Sequence, residues 1–292
     1  MGKFVYRNEE SMRKMHTFYD KVLASLDVEY SSFCVDTSYG NTHIITVGDT
    51  TKKPVFTLHG GNGINPLNIQ LFSPLLDEYY FIAPDVIGMP GKSEPYRNIN
   101  PKKDDYANWI NEVLIQLKID NIMFVVSSYS ASMMLSFATS YPEKISKAVL
   151  LKPSGIAHGP MLPIIWNMSI PFIKYYFRPS PKTLKGIMDS MVGNDDDIWR
   201  EFLDLMMSSY KMEMRAPREY EKDELINFTA PLFIIASPND IFFPAGVVFS
   251  KADKIFAGKL TKMEVLDKHL PSQKTMVDVC RAIVDFDKSS TK

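Results

Sequence analysis

The chain has 292 residues, of which 45% are hydrophobic and 23% are charged, and its formal net charge is −1. These values are typical of a globular protein with one large core, and they give no overall field that would attract nucleic acid. The polar start lacks a secretion signal and no apolar run reaches membrane-spanning length, so we expect a cytoplasmic protein. The two cysteines, Cys34 and Cys280, lack metal-ligand spacing and allow at most one disulfide.

The predicted strands begin with a hairpin at residues 31–47, where apolar and polar residues alternate on both sides of the turn SYGN. Short apolar segments without such alternation follow it, as is typical of parallel strands that are covered on both faces. The sequence therefore predicts further strands at 54–58, 79–85, 122–126, 147–151, 231–236 and 262–266.

Helical patterns separate these strands. The clearest helix is predicted to begin at Asn100, an N-cap followed by proline at the first helical position. Its apolar residues between Tyr106 and Leu117 recur at helical spacing and form one face. Strands that alternate with helices predict an α/β fold with a mostly parallel sheet and helices on both faces.

The alternation is interrupted between residues 153 and 228. This stretch contains 8 of the 17 methionines and two of the three tryptophans, and it has no strand pattern. We therefore predict a helical cap inserted at 154–228 into a core formed by 1–153 and 229–292. Methionine and aromatic side chains form adaptable apolar surfaces, although packing within the insertion's own core explains the same composition.

The segment VVSSYSASMM, residues 125–134, lies between a predicted strand and a predicted helix. A serine at such a junction is typical of a nucleophile elbow, whose sharp turn projects the hydroxyl from the sheet. The glycines that normally stand two residues before and after the serine are missing. Ser128 and Ser130 both remain candidates, and Ser130 has the smaller neighbours. Serines that only start a helix give the same pattern.

From about residue 33 to residue 286 the chain resembles the α/β-hydrolases, most closely their bacterial carboxylesterase branch. The resemblance implies an α/β-hydrolase fold with an inserted helical cap. It depends on the order and separation of PVFTLHGG, YYFIAPDVIGMPGKSE, DDYANWI, KIDNIMFVVSSYSA, YPEKISKAVLLKPSGI, APLFIIASPNDIFFP and KHLPS.

The resemblance also implies positions for the reacting groups. Family spacing, counted forward from the strand and back from the YPE turn, leads to Ser128 as the nucleophile, with Ser130 as the alternative. The family order of serine, acid and histidine implies Asp240 as the acid and His269 as the base. Lys268 replaces the glycine that usually precedes this histidine.

The amide groups of Gly61 and Tyr129 are the implied oxyanion donors. The predicted substrate pocket is formed by residues of the cap and by the glycine segment that follows the strand 54–58. This pocket is predicted to include Gly60, Trp166, Trp199, Met206 and Met207.

These features predict a serine hydrolase that cleaves small to medium apolar esters or related acyl compounds through a Ser-His-Asp acyl-enzyme mechanism. Such chemistry needs no cofactor or metal, and a monomer or a homodimer is compatible with it. The missing glycines also fit a second class, a binding or regulatory protein with this fold that has lost hydrolysis. The segment GMPGKS is an incomplete phosphate loop, because valine stands at 86 where that motif needs glycine.

Overall fold

The computed structural model describes residues 2–193, 196–256 and 260–289. In this part of the chain the strands form one eight-stranded sheet with the order β1-β2-β4-β3-β5-β6-β7-β8. β2 runs antiparallel to both of its neighbours, and the other pairs are parallel. The predicted α/β class is therefore confirmed. The strands are β1 (Tyr30–Thr37), β2 (Gly40–Val47), β3 (Lys53–Leu58), β4 (Tyr79–Pro84), β5 (Ile122–Ser127), β6 (Ile145–Leu151), β7 (Leu232–Ala236) and β8 (Leu260–Glu264).

The predicted hairpin is confirmed, because β1 and β2 pair from Tyr30 opposite Val47 to Thr37 opposite Gly40. The last strand lies two residues earlier than the predicted 262–266. β8 is an edge strand whose residues are all exposed or half-buried, so it lacks the apolar run by which the buried strands are recognised.

Helices cover both faces of the sheet. They are α1 (Glu9–Ala24), α2 (Asn65–Phe72), α3 (Asp105–Gln116), α4 (Tyr129–Ser140), α5 (Met161–Ile164), α6 (Ile170–Phe177), α7 (Pro181–Met191), α8 (Asp197–Ser209), α9 (Ala245–Ile255) and α10 (Gln273–Ser289). A π-helical segment, Ile165–Ser169, joins α5 to α6. Among the described residues of 154–228, the structure has α5–α8 and connecting segments and none of the eight strands.

Alternate residues of the central strands enter two apolar cores. In β5, Val125 belongs to the core that contains α1, α2, α10 and residues of α6–α8. Its neighbours Phe124 and Val126 belong to the core that contains α3, α4 and α9. This alternation explains why the strand reads as continuously apolar, since both of its faces are covered.

The helix predicted to begin at Asn100 begins instead at Asp105. The Asn100 side chain accepts a hydrogen bond from the Lys102 amide at 3.1 Å, and the Asn100 carbonyl accepts one from the Lys103 amide at 3.1 Å. These bonds close a separate turn, so the prediction of the helix start was wrong by one helical turn. The apolar face from Tyr106 to Leu114 is buried as predicted.

Cys34 is exposed and Cys280 is buried, and neither forms a disulfide. No helix in the described ranges is long and apolar enough to cross a bilayer. In the same ranges, no group of three or more His, Cys, Asp or Glu side chains is arranged to hold a metal ion.

Candidate active site

Ser128 occupies the sharp turn between β5 and α4. Its backbone angles are φ 55° and ψ −124°, in the left-handed region that a residue with a side chain rarely adopts. Hydrogen bonds hold this conformation on both sides. The Ser128 amide donates to the Leu151 carbonyl at 3.0 Å, and the Ser128 carbonyl accepts from the Ala131 and Ser154 amides, each at 3.1 Å. The turn is therefore fixed by the end of β6 as well as by α4.

A hydrogen-bonded chain links Ser128 to two residues from the far end of the sequence. Ser128 Oγ lies 2.9 Å from Nε2 of His269. On the other side of the same ring, Nδ1 lies 2.8 Å from Oδ2 of Asp240. Asp240 follows β7 and His269 follows β8, so the carboxyl ends of neighbouring parallel strands bring the three side chains together.

Ser130, the alternative nucleophile, is not brought to the imidazole. Its side chain is fully buried, and Oγ lies 2.9 Å from the Leu58 carbonyl and 2.7 Å from the Ser127 carbonyl. The same oxygen accepts a hydrogen bond from the Ser127 amide at 3.1 Å. Ser130 thus fastens the ends of β3 and β5 to the first turn of α4.

The space that elbow glycines normally provide comes from neighbouring loops. A Cβ atom on Gly60 would lie 3.4 Å from Cβ of Ser128, and one on Gly155 would lie 3.0 Å from Cα of Ser132. Gly155 also has a φ of 86°, which disfavours any side chain. Close approach to the elbow is therefore possible although Val126 and Ser130 flank Ser128.

Asp240 is buried but held in its ionised form. Burial opposes ionisation, yet the neighbouring imidazole of His269 and hydrogen bonds from the Phe242 and Phe243 amides outweigh it and lower the pKa of Asp240. These amides lie 2.8 and 3.2 Å from Oδ1. The rings of Phe242 and Phe243 lie 4.9 and 5.8 Å from the imidazole, measured between centroids. The Asp-His pair is thus shielded from water on this side.

The loop that carries His269 is anchored by Asp267. The Asp267 carboxylate accepts hydrogen bonds from the Lys268 amide at 2.8 Å and from the Ser272 amide at 2.7 Å. The first bond fixes the residue before His269, and the second fixes the approach to α10. Lys268 is not among the described residues with positive φ, so this loop does not need the glycine that the family usually has here.

Lys152 holds the same loop from the protein interior. The sequence analysis did not identify it as part of the site. It follows β6, its φ is 48°, and its side chain is 1% exposed. Nζ donates a hydrogen bond to the carbonyl oxygen of Lys268. Burial lowers the pKa of Lys152 to about 8, although the negative charges of Asp240 and Asp267 partly oppose this shift.

The segment after β3 passes directly over the elbow. A Cβ atom on Gly61 would lie 3.0 Å from Cβ of Tyr129, so the backbones of these two residues are close together. The Tyr129 amide is the first N–H of α4, which has no acceptor within the helix. The two predicted oxyanion donors therefore lie on adjacent segments beside Ser128.

His59 supports this segment from the protein interior. Nε2 accepts a hydrogen bond from the Val86 amide at 3.1 Å, so Nδ1 carries the proton and donates to the Gly60 carbonyl at 2.9 Å. Burial lowers the pKa of His59, which keeps the ring neutral. Its role is to fix the Gly60–Gly61 backbone.

An apolar cavity of about 560 Å³ opens onto Ser128 and His269. This volume lies in the range of small-molecule sites. The polar groups of its wall are concentrated at the elbow and the glycine segment, whereas apolar side chains, many of them from α2 and α6–α8, form most of the rest. These apolar side chains include Leu67, Leu71, Phe172, Met191, Phe202, Leu203 and Met206.

Three of the five predicted pocket residues, Gly60, Trp199 and Met206, line this cavity, and two do not. Trp166 lies on the outer side of the π-helical segment and is 68% exposed. Met207 packs against the core that contains α1, α2 and α10, and its carbonyl accepts a hydrogen bond from Arg7. The composition of the insertion indicated an apolar surface, but composition alone does not say which side of a helix faces the cavity.

The sequence analysis did not identify several residues that line the cavity. Ile164, Met168 and Phe172 line the wall at intervals of four residues, which is a helical signal present in the sequence. Phe242 and Phe243 follow Asp240 after one intervening residue and have the pattern of an ordinary apolar pair. Their contact with His269 depends on a separate strand, so no local pattern reveals it.

Residues 53–185 match the family model described as the alpha/beta hydrolase fold. The naproxen esterase (carboxylesterase NP) of Bacillus subtilis has a solved structure that superposes with a TM-score of 0.80, covering 95% of this chain and 98% of that one at 17% identity. The chain has the α/β-hydrolase fold. With it, the predicted fold and the resemblance are both confirmed.

Two curated relatives with the carboxylesterase name support the same branch of α/β-hydrolases. The uncharacterized carboxylesterase nap of Bacillus subtilis is 29% identical over 136 residues, which are 47% of this chain and 45% of that protein. Carboxylesterase YbfK of the same organism is 27% identical over 145 residues, which are 50% and 49%. The chain thus spans about half the length of the curated relatives it matches.

Proposed function

We propose that this α/β-hydrolase-fold protein is a serine hydrolase, a carboxylesterase that cleaves small to medium apolar esters or related acyl compounds. The observation that carries the proposal is the hydrogen-bonded chain from Ser128 through His269 to Asp240 at the floor of an apolar cavity. The similarity to proteins named carboxylesterases supports the reaction class.

In the proposed first step, Ser128 Oγ attacks the ester carbonyl carbon while Nε2 of His269 takes the hydroxyl proton. Asp240, which is ionised and hydrogen-bonded to Nδ1, stabilises the imidazolium that forms. The carbonyl oxygen becomes an oxyanion, and the Gly61 and Tyr129 amides donate to it. The intermediate then collapses, and His269 returns the proton to the departing alkoxide.

The second step releases the acyl group. Water attacks the ester of Ser128 while His269 takes a proton from that water, and the second tetrahedral intermediate collapses to a carboxylic acid as His269 returns the proton to Oγ of Ser128. The cavity wall supplies apolar contacts for the acyl chain. We assign these contacts to a cap, residues 154–228, which covers the core formed by 1–153 and 229–292.

Hydrolysis of nitrophenyl esters of increasing acyl length tests the proposal. We expect turnover by the wild-type protein and a loss of roughly 1,000-fold or more in Ser128→Ala and in His269→Ala. Ser140→Ala, which changes an exposed serine at the end of the same helix, is the matched control and should leave the rate unchanged. Absence of turnover with every ester would instead favour a binding or regulatory protein that has lost hydrolysis.

A further inference from the structure

The helical segment 161–177 exposes an unusual concentration of large apolar side chains. We call this segment, formed by α5, the π-helical residues and α6, the apolar helix. Seven of the fifteen exposed large hydrophobic residues in the described part of the chain lie within it. They are Met161, Leu162, Ile165, Trp166, Ile173, Tyr176 and Phe177.

These side chains form one wide face instead of being scattered. Met161, Leu162, Ile165 and Trp166 are separated by one, three, four or five positions. Ile173, Tyr176 and Phe177 are separated by one, three or four positions, and such spacings place side chains on one side of a helix. Trp166 is 68% exposed and Phe177 is 76% exposed. Single exposed apolar residues are ordinary, but a contiguous apolar face indicates an interaction surface.

The apolar helix and the eleven residues that follow it carry only basic charges, and the exposed Asp204 of α8 accepts a hydrogen bond from Tyr175 of this helix. From residue 160 to residue 188 the sequence has four basic residues and no aspartate or glutamate, in a chain whose net charge is −1. Lys185 is paired with Asp189. Lys174, Arg178 and Lys182 are exposed at the end of the apolar helix and just beyond it. An exposed apolar and aromatic face next to cations is typical of helices that lie in the surface of an anionic bilayer.

An adjoining side of the same helix lines the cavity. Ile164, Met168 and Phe172 contribute to the cavity wall, and Ile173 both lines the cavity and is 56% exposed. The exposed face is therefore continuous with the rim of the cavity that leads to Ser128. A surface that contacts this face would lie next to the cavity mouth.

We propose that the apolar helix docks on the surface of an anionic lipid bilayer, and that the acyl ester which enters the cavity is a lipid drawn from that surface. The proposal rests on the proposed hydrolase function for its second half only. A second copy of this chain fits the same face less well, because in a two-fold contact residues 160–188 would meet each other and they supply no acidic side chain to pair with Lys174, Arg178 and Lys182.

Vesicle flotation tests the docking. The Ser128→Ala protein should float with vesicles of phosphatidylcholine and phosphatidylglycerol, and more weakly with phosphatidylcholine alone. The double variant Trp166→Ser/Phe177→Ser should lower the partition coefficient roughly tenfold or more, because it removes two exposed aromatic side chains from the contact. Ile115→Ser/Ile226→Ser removes two side chains of similar exposure elsewhere and should bind as before.

Trp166 also provides a direct signal. Trp109 is fully buried, and Trp199, which lines the cavity, is replaced by phenylalanine in the background used for this measurement. In Trp199→Phe, a blue shift and quenching by brominated lipid tails upon vesicle addition should come from Trp166, and both should disappear when Trp166→Phe is added. No flotation with anionic vesicles, or equal flotation of both double variants, would overturn the docking. A concentration-dependent dimer that Trp166→Ser/Phe177→Ser dissociates would overturn it in favour of self-association.

Activity on two forms of substrate separates this inference from the proposed function. Trp166→Ser/Phe177→Ser should hydrolyse a water-soluble butyrate ester at the wild-type rate. Its rate on the lipid esters of the phosphatidylcholine and phosphatidylglycerol vesicles should be at most half of the wild-type rate. Flotation without any turnover by the wild-type protein would overturn the hydrolase function and leave the docking intact. Turnover of the soluble ester without flotation would overturn the docking and leave the hydrolase function intact.

Discussion

Nζ of Lys152 donates a hydrogen bond to the carbonyl oxygen of Lys268, the residue immediately before His269. A buried cation at the end of β6 thereby supports the loop that holds the imidazole next to Ser128. The burial that lowers the pKa of Lys152 to about 8 makes this support dependent on pH.

Lys152→Met should change how stability varies with alkaline pH. An unfolded lysine keeps its proton up to about pH 10.5, whereas folded Lys152 loses it near pH 8. Because the unfolded state binds more protons in this window, the contribution of Lys152 to stability becomes more favourable as pH rises through it. Between neutral pH and about pH 10.5, the difference in free energy of unfolding, wild type minus Lys152→Met, should increase by about 3 kcal/mol.

Urea unfolding of both proteins across this pH range measures the difference, in which the titration of all other groups cancels. Lys182→Met, which changes an exposed lysine, should show no such divergence from the wild type. Parallel pH profiles for wild type and Lys152→Met would contradict the assignment of a buried, titrating Lys152.

Gly61→Ala should lower activity with little loss of stability. The new methyl group would lie 3.0 Å from Cβ of Tyr129 and 3.1 Å from its ring, so the glycine segment must move away from the elbow. A displaced oxyanion donor costs on the order of 100- to 1,000-fold in kcat. Gly246→Ala is the matched control, because a Cβ atom there meets nothing within 4 Å. Similar kcat values for the two variants would remove Gly61 from the site.

Ser130→Gly restores the residue that the α/β-hydrolase pattern has at this position, yet it should destabilise the protein. The change removes an Oγ that is bonded to the Leu58 and Ser127 carbonyls and to the Ser127 amide. We expect thermal unfolding to report a loss of about 1–3 kcal/mol. Esterase activity should persist at temperatures where the variant is folded. Abolished activity in a fully folded Ser130→Gly would mean that Ser130 takes part in the reaction.

Asp240→Asn should reduce kcat by roughly 1,000- to 10,000-fold while leaving the fold intact, because an amide cannot stabilise the imidazolium or fix the ring tautomer. Steady-state kinetics with a short nitrophenyl ester measures the loss. Asp253→Asn changes an exposed carboxylate that pairs with Lys262, and it should react at the wild-type rate. A loss of less than tenfold in Asp240→Asn would show that another group orients His269.

The sequence alone does not indicate the order of the strands in the sheet, but it does indicate which candidate reactive residues lie near the ends of strands. Ser128, Asp240 and His269 each lie within four residues of the end of a predicted strand. Parallel strands bring their carboxyl ends to one edge of the sheet, so the proximity of the three residues follows from the fold class. The inner strands are recognisable because both of their faces are covered. The edge strand β8 has no such pattern, and its predicted bounds were shifted by two residues.

Other features depend on contacts that no local pattern records. Trp166 and Trp199 are equally apolar, but only the orientation of their helices separates an exposed side chain from a cavity wall. Lys152 reads as a surface lysine after a strand until β7 and the His269 loop enclose it. The missing elbow glycines could not be interpreted without knowing that Gly60 and Gly155 provide the space from neighbouring loops.

Labelling with a fluorophosphonate probe, followed by peptide mass spectrometry, tests most directly whether Ser128 is an activated nucleophile. The account predicts one modified serine, Ser128, with labelling that falls at least 100-fold in His269→Ala and persists in Ser130→Gly. A protein that remains unlabelled, or one whose label is found on Ser130, would contradict it.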